Sequence, residues 1–382
     1  MFRLRRCPTG DPGRGLGVSH PAAILQFETE IPDTPAGAIG LEPSGADDLA
    51  WILRYATEHN LPVDVRGGGS HHGFGTPDPS SLVVSMKGFD GVVEWNPDDL
   101  TVVVGAGTPV ASLEAILAER SQTSVLPEVP GAATVGGVIA AGLSSLRRAR
   151  LLGTRERVLE VSLVTGDGRM VTAGGRVVKN VTGYDIPRLT VGAFGSLGVI
   201  TSVCLKVLPV PEASATILLD HPGQAAEANR PLAVLESNDR VEAFLWGTEP
   251  EVEAVAGRIG GSMRRGLDWP ADPEGALRWS LRVPPALVDT AIGILPEKWR
   301  FLAVRGAGDL RLASDSRAGA GELRDWAESV GGSLVVVKAP PSALPDFDPW
   351  GRPPPGLELQ RRLISQFDPA RIINPGRLPA GL

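Results

Sequence analysis

Residues Leu61–Gly75 read LPVDVRGGGSHHGFG. A short β-rich run (Leu61, Val63, Val65) stops at Arg66. It gives way to Gly67-Gly68-Gly69, Ser70, His71 and His72, then two more glycines. A core needs side chains to bury, and this run has almost none. What it can do is lay bare main-chain N–H groups around an anion, which is how glycine-rich loops hold phosphate. A plain surface turn is the competing reading, because short motifs often mislead. A Rossmann turn or P-loop fits worse. Each needs a helix directly after its glycines, whereas Phe74-Gly75-Thr76-Pro77 continues as loop, and no Gly-Lys-Ser/Thr follows.

Upstream, Ser44, Asp47 and Asp48 suit a helix start, and Leu49, Ile52, Leu53 and Ala56 supply its apolar stripe. The helix ends near His59-Asn60, so the glycine loop follows the second strand of a β-α-β start. Downstream, Ser81–Ser85 reads as a strand. Gly91–Trp95 and Leu100–Gly105 read as a hairpin, and Val110–Glu119 as a helix. Then comes Leu126–Gly142, LPEVPGAATVGGVIAAG. A Pro-Gly turn at Gly131 leads to Thr134 and a helix whose first turn, with Gly136 and Gly137, is nearly free of bulky side chains. A phosphate approaching those N–H groups would meet the positive end of the helix. Val158–Thr165 and Met170–Ala173 read as strands across Gly166-Asp167-Gly168, a strong hairpin signal. GAFGSLGVITSVCLKV, from Gly192 to Val207, ends in a buried strand.

From Ala213 the glycine motifs vanish and amphipathic segments alternate, which suggests a smaller α+β cap domain. A Pro-rich link follows Ala339, then a helix over about Leu357–Gln366 and the string FDPARIINPGRLP.

The chain has 382 residues, enough for two or three domains. Its net charge of −7 argues against nucleic acid as a partner. Its two cysteines, Cys7 and Cys204, have neither metal nor disulfide spacing, which fits a reducing compartment and leaves no set to hold an iron–sulfur cluster. No apolar run reaches transmembrane length, and the basic N-terminus lacks the apolar region of a secretory signal. Adjacent His71 and His72 point in different directions with no third ligand nearby, so no metal site is expected. Arg147, Arg148, Arg150, Arg155 and Arg157 cluster. They form a solvated face, or Arg155 lies near a cofactor while the others meet a protein partner. Tyr184-Asp185 serves acid–base chemistry or anchors a turn; a structural role is the slightly better reading.

In this order, RGGGS, PGAATVGGVIAAGL, LLGTRERVLEVSLVTGDG, KNVTGYD, GSLGVIT and DPARIINPGR resemble the PCMH-type FAD-binding fold of the vanillyl-alcohol oxidase superfamily. Within it the likeness is to FAD-binding subunits of bacterial glycolate oxidases. AAGLSSLRRARLLGTRERVLE, with KNVTGYD behind it, is the most specific part. The resemblance runs from about Leu41 to the C-terminus and is weakest over 213–340. It implies an N-terminal arm over 1–32, a two-part PCMH-type FAD-binding domain over 33–212 and a cap over 213–340. A link and C-terminal segment, 341–382, would return to the FAD domain.

By the same resemblance Gly67, Gly68, Gly69, Ser70 and His71 would wrap the FAD pyrophosphate, and Gly131, Thr134, Gly136 and Gly137 would face it from the other side. Gly142 and its neighbours would lie near the flavin ring, and Gly198, Val199 and Ile200 would bind the ring or adenine end by backbone atoms. Some relatives attach FAD through a histidine directly after the paired glycines. Ser70 stands there, so non-covalent FAD is expected. Relatives that oxidise 2-hydroxy acids carry cap histidines, whereas the last histidine here is His221. Beyond His221, near its start, the cap has no histidine, and that remainder lacks the usual switchable base and nitrogen ligand. The catalytic residues therefore stay unassigned. The resemblance implies an FAD subunit of a 2-hydroxy-acid (glycolate-type) dehydrogenase. It would work beside a larger FAD subunit and an iron–sulfur subunit, in the cytoplasm or peripheral to the inner membrane through partners. An assembly subunit with a structural flavin site, and a stand-alone FAD-dependent alcohol oxidoreductase, are the alternatives.

Overall fold

The computed structural model describes residues 24, 26–70, 74, 75, 81–129, 131–176, 184–343, 346–379 and 382. His71, His72 and the KNVTG string lie outside the described residues.

The first unit is a parallel three-stranded sheet, β1 (Ile39–Leu41), β2 (Val63–Arg66) and β3 (Leu82–Ser85), in the order β1-β3-β2. The helix Ala46–Glu58 forms where its stripe predicts. It buries Leu49, Ile52 and Leu53 completely, each worth roughly 1.5–3 kcal/mol of apolar burial. Asp47 and Asp48 occupy its first turn, where the helix dipole favours negative charge. Ile24 is fully buried in the same core, and Phe27 stacks obliquely on Trp51, ring centroids 5.8 Å apart. The lead-in expected to be loose through residue 32 is tied down at Ile24 and Phe27.

The second unit is an antiparallel sheet of β4 (Val92–Asn96), β5 (Thr101–Gly105), β7 (Val158–Val164), β8 (Met170–Gly174) and β9 (Val199–Lys206), in the order β4-β5-β9-β7-β8. Both expected hairpins form. Gly168, at φ +78°, turns β7 into β8. A small ladder joins β6 (Gln122–Thr123) to β10 (Leu208–Pro209). The helices Val110–Ala118 and Val135–Ala140 cover one face through Leu113, Leu117, Val138 and Ile139. Val164 and Val199 reach from this sheet into the core of the first unit, so the two halves share packing.

The cap holds one eight-stranded sheet, wholly antiparallel, in the order β14-β11-β13-β12-β16-β17-β15-β18. Its strands are β11 (Ala213–Leu219), β12 (Ala233–Ser237), β13 (Val241–Gly247), β14 (Ser262–Arg265), β15 (Leu277–Arg282), β16 (Arg300–Val304), β17 (Asp309–Ser314) and β18 (Ser333–Lys338). β14 is four exposed residues with no apolar alternation. The helices Glu249–Ile259 and Ala320–Ser329 close one face of the sheet. On the other, Leu235, Phe244, Leu302 and Val304 pack on Leu146 of the preceding half.

Candidate cofactor site

The glycine loop leaves β2 at Arg66, and Asp64 holds that exit. Its carboxylate takes Arg66 Nε at 2.8 Å and Arg377 Nη2 at 2.9 Å, all three groups being buried. The loop then lies directly on the 131–134 string. A methyl at Gly67 would sit 2.2 Å from Thr134 Oγ1, and one at Gly68 would sit 1.6 Å from the Ala132 carbonyl oxygen. No side chain fits at either position, which is the physical reason for two of the three glycines. The third, Gly69, has φ +74°, a conformation that costs glycine little. Among the described residues no protein acceptor takes the N–H of Gly67, Gly68 or Gly69. Gly68, Gly69 and Ser70 are exposed.

The helix Val135–Ala140 differs from expectation. Its first amides are already engaged. Val135 N donates to Thr108 O (2.9 Å), Gly136 N to Ala106 O (2.8 Å) and Gly137 N to the Thr134 hydroxyl (3.2 Å). The main chain that continues β5 takes the first two, a pairing that connects residues far apart in sequence. This turn therefore contributes a smooth wall, and the open donors belong to the 67–69 loop.

A narrow cleft of about 70 Å³ runs between the halves. Gly67, Thr134, Gly136, Gly137, Gly198, Val199 and Ile200 line it, and the sequence had singled out all seven. Gly198 has φ +113°, and a methyl there would strike Leu163 and the Val164 carbonyl. Gly68 touches the opposite string without lining the cleft, while Gly69, Ser70 and Gly131 are exposed beside it. Gly142, at φ +66°, packs against the Gly192 backbone and is not part of the lining. Arg155 is exposed on the short turn Thr154–Glu156, away from the lining.

The lining also contains Gly195 and Asn374, which the sequence reading did not assign. Asn374 Oδ1 accepts from Val65 N at 2.8 Å, and its Nδ2 donates to Phe194 O at 2.8 Å. Its own N–H reaches Val63 O at 2.8 Å. One side chain from the C-terminal string thus clips β2 to the turn that feeds β9. Its φ of +48° is one that Asn tolerates better than most residues. INPG was the available signal, and it was read only as a whole string.

The arginine cluster is mostly a seam. Arg147 is buried, with Nε 2.8 Å from Glu128 Oε1. Arg148 Nη1 reaches Asp309 Oδ2 in the cap at 3.0 Å. Arg157 is buried on the Leu151 carbonyl, and burial pushes its guanidinium below the usual arginine range. Arg150 and Arg155 are exposed. Tyr184 is 89% exposed, and Asp185 caps the helix Ile186–Thr190 through Arg188 N, a turn-anchoring role. Among the described residues no group of three histidine, cysteine or acidic side chains could hold a metal ion.

The cleft fits a dinucleotide in two respects: walls that a Cβ would fill, and open main-chain donors on one rim. Residues 38–174 match the FAD binding domain family model. Alkyldihydroxyacetonephosphate synthase shares the fold at a TM-score of 0.62 and 15% identity, over 88% of this chain and 75% of that one. The chain thus carries an FAD-binding domain over residues 38–174, and its cofactor is FAD. It is a flavin-dependent oxidoreductase, 29% identical over 351 residues to glycolate oxidase subunit GlcE of Escherichia coli, covering 86% of this chain and 96% of that one. It is 33% identical to GlcD of Bacillus subtilis and 33% identical to D-lactate dehydrogenase of Archaeoglobus fulgidus. Those two matches cover 47% and 44% of this chain and 38% of either relative.

Proposed function

We propose that this chain is the FAD-binding subunit of a 2-hydroxy-acid, glycolate-type dehydrogenase. It holds FAD without a covalent bond and passes electrons to a separate iron–sulfur subunit beside a larger flavin subunit. The observation that carries the reading is the direct contact of the 67–69 loop with the 131–134 string along one glycine-walled cleft. The near full-length similarity to a glycolate oxidase subunit supports the substrate class.

In this reading the N–H groups of Gly67, Gly68 and Gly69 donate to the diphosphate. Gly131, Thr134, Gly136 and Gly137 form the opposite wall, where the absence of Cβ atoms lets the dinucleotide approach the backbone. Gly198, Val199 and Ile200 border the ring end, and Asn374 fixes the turn beside them. FAD supplies the two-electron acceptor for the substrate's hydride. The protein's part is to bind, orient and exclude water. Ser70 follows the glycines, and a serine hydroxyl is not the imidazole that forms a flavin link.

Purified protein tests this. It should be yellow and should release all its flavin into the supernatant on acid precipitation. Co-expressed with an iron–sulfur subunit, it should pass electrons from a 2-hydroxy acid to that subunit's cluster. A colourless preparation that FAD does not reconstitute overturns the reading, and flavin retained by the precipitate overturns its non-covalent part. For localisation, no helix among the described residues is long and apolar enough to cross a membrane. A cytoplasmic complex, peripheral to the inner membrane at most through its partners, is the arrangement proposed.

A further inference from the structure

Residues 347–352, in the link that leads out of the cap, are fastened to the cap along their length. Arg324 Nη1, on the helix Ala320–Ser329, donates to the Asp348 carbonyl at 2.7 Å, and its guanidinium lies 4.0 Å from the centroid of the Phe347 ring. One turn further on the same helix face, Glu328 Oε1 accepts from Arg352 N at 2.8 Å. Val336 N, on the edge strand β18, donates to the Pro349 carbonyl at 2.8 Å. Helix and sheet edge together make this segment a strap of the cap.

Between those ties Trp350 meets two rings of the other half. Its ring centroid lies 6.0 Å from that of Phe74, in a stacked pair, and 5.6 Å from that of Phe194, edge to face. Phe74 and Phe194 are themselves 5.2 Å apart. Each belongs to one side of the cofactor cleft. Phe74 is buried and follows the glycine loop in sequence. Phe194 N donates to the Ala140 carbonyl at 2.9 Å, its carbonyl accepts from Asn374 Nδ2 at 2.8 Å, and Gly195 comes next in the chain. Ala140, Gly195 and Asn374 all line the cleft. Phe194 has φ +49°, a conformation uncommon away from glycine, so its place depends on what holds it.

The indole adds a second sign. Trp350 Nε1 is buried and, among the described residues, has no hydrogen-bond partner. A buried donor without an acceptor destabilises the seated arrangement, and water satisfies it once the ring lifts out. Phenylalanine would pack there without that cost, so the indole keeps the contact releasable.

We propose that Trp350 is a latch on the cofactor cleft: carried by the cap's strap, it positions Phe74 and Phe194, holds both sides of the cleft on bound FAD, and opens the cleft when it lifts. Trp350 is thus a positioning residue that acts through the two phenylalanines. The proposal rests on the cleft being the FAD site. The coupling is reciprocal: if the seated indole strengthens FAD binding, bound FAD holds the indole seated by the same factor.

The test uses the full chain, stripped of flavin by dialysis against bromide and titrated with FAD. Trp350→Ala should weaken FAD binding about tenfold, within the usual range of coupling between sites. Trp350→Phe keeps a ring and loses the unpartnered donor, and should bind as the natural chain does or more tightly. Glu328→Ala removes the strap's tie at Arg352 N, outside the cleft lining, and should weaken binding by less. Chymotrypsin reads the latch itself, because cleavage tracks the population of the open strap. FAD should slow cleavage after Trp350, followed by mass spectrometry. If Trp350→Ala binds FAD as the natural chain does, or FAD leaves that bond as open to cleavage as before, there is no latch while the cleft stands. If Glu328→Ala leaves FAD binding unchanged, Trp350 is local packing and the proposal falls. If the natural chain binds no FAD, the reading of the cleft fails first and this one with it.

Discussion

Gly67 and Thr134, sixty-seven positions apart in sequence, meet so closely that a methyl on the glycine would sit 2.2 Å from the threonine hydroxyl. That hydroxyl already accepts from Gly137 N. One contact therefore ties the loop after β2, the 131–134 string and the helix behind it into a single wall.

Adding a methyl group should part that wall. Gly68→Ala meets backbone at 1.6 Å, which no side-chain rotation relieves. It should cost about 1–3 kcal/mol of stability and remove most bound FAD, read by thermal melting and the flavin absorbance ratio. Gly257→Ala is the control. It lies in the helix Glu249–Ile259 with nothing within 4 Å, and should stabilise by up to about 1 kcal/mol with flavin content unchanged.

Asn374→Ala deletes the two hydrogen bonds to Val65 and Phe194. Each is worth about 0.5–1.5 kcal/mol, with a further cost for a group left buried and unsatisfied. Equilibrium unfolding should show about 2–4 kcal/mol lost, and FAD titration should show weaker binding. Unchanged FAD affinity would separate the C-terminal clip from the cleft.

Glu128 accepts from Ser145 Oγ and Leu146 N and pairs with buried Arg147. Glu128→Ala leaves that guanidinium uncompensated and should cost about 3–5 kcal/mol in urea unfolding. A loss under 1 kcal/mol, as for an exposed pair, would mean that water reaches Arg147 freely.

Burial pushes the Cys204 thiol up to about 11. At pH 8 only about one thiol in a thousand is then ionised. In a Cys7→Ser background, iodoacetamide should leave the native protein unlabelled for hours and label it fully in denaturant. Fast native labelling would show that the β9 face opens.

Glu242 is buried on β13, 3.2 Å from Arg264 and 3.7 Å from Arg240. Burial nevertheless raises its carboxyl pKa against the pull of both arginines. The folded state then holds this proton more tightly than the unfolded chain. The stability it contributes is present in acid and lost as pH rises through the folded value. Melting curves of Glu242→Gln should therefore gain on those of the natural chain as pH goes from 4 to 7. A gap that narrows over that range contradicts the assignment.

The FAD half was largely legible because its signals are local. Gly166-Asp167-Gly168 dictates a hairpin, and Leu49, Ile52, Leu53 and Ala56 a helix face. The glycine-walled cleft was legible too, since absent side chains are read directly. What stayed hidden depends on partners distant in sequence. Ala106 and Thr108 consume the amides that the 135–140 helix was expected to offer. Glu128 and Asp309 turn a basic run into a seam. Asn374 reaches β2 across three hundred residues. The cap's edge strand β14 gave no periodic signal because both of its faces are wet.

The placement of Asn374 also orders events during synthesis. The clip on β2 comes from a residue that follows the whole cap in sequence, so a chain still on the ribosome has translated the cap before the cleft can close. Nascent chains halted before residue 374 should stay flavin-free, which places cofactor loading after synthesis of the cap and makes it a checkpoint against chains that stop short of the clip.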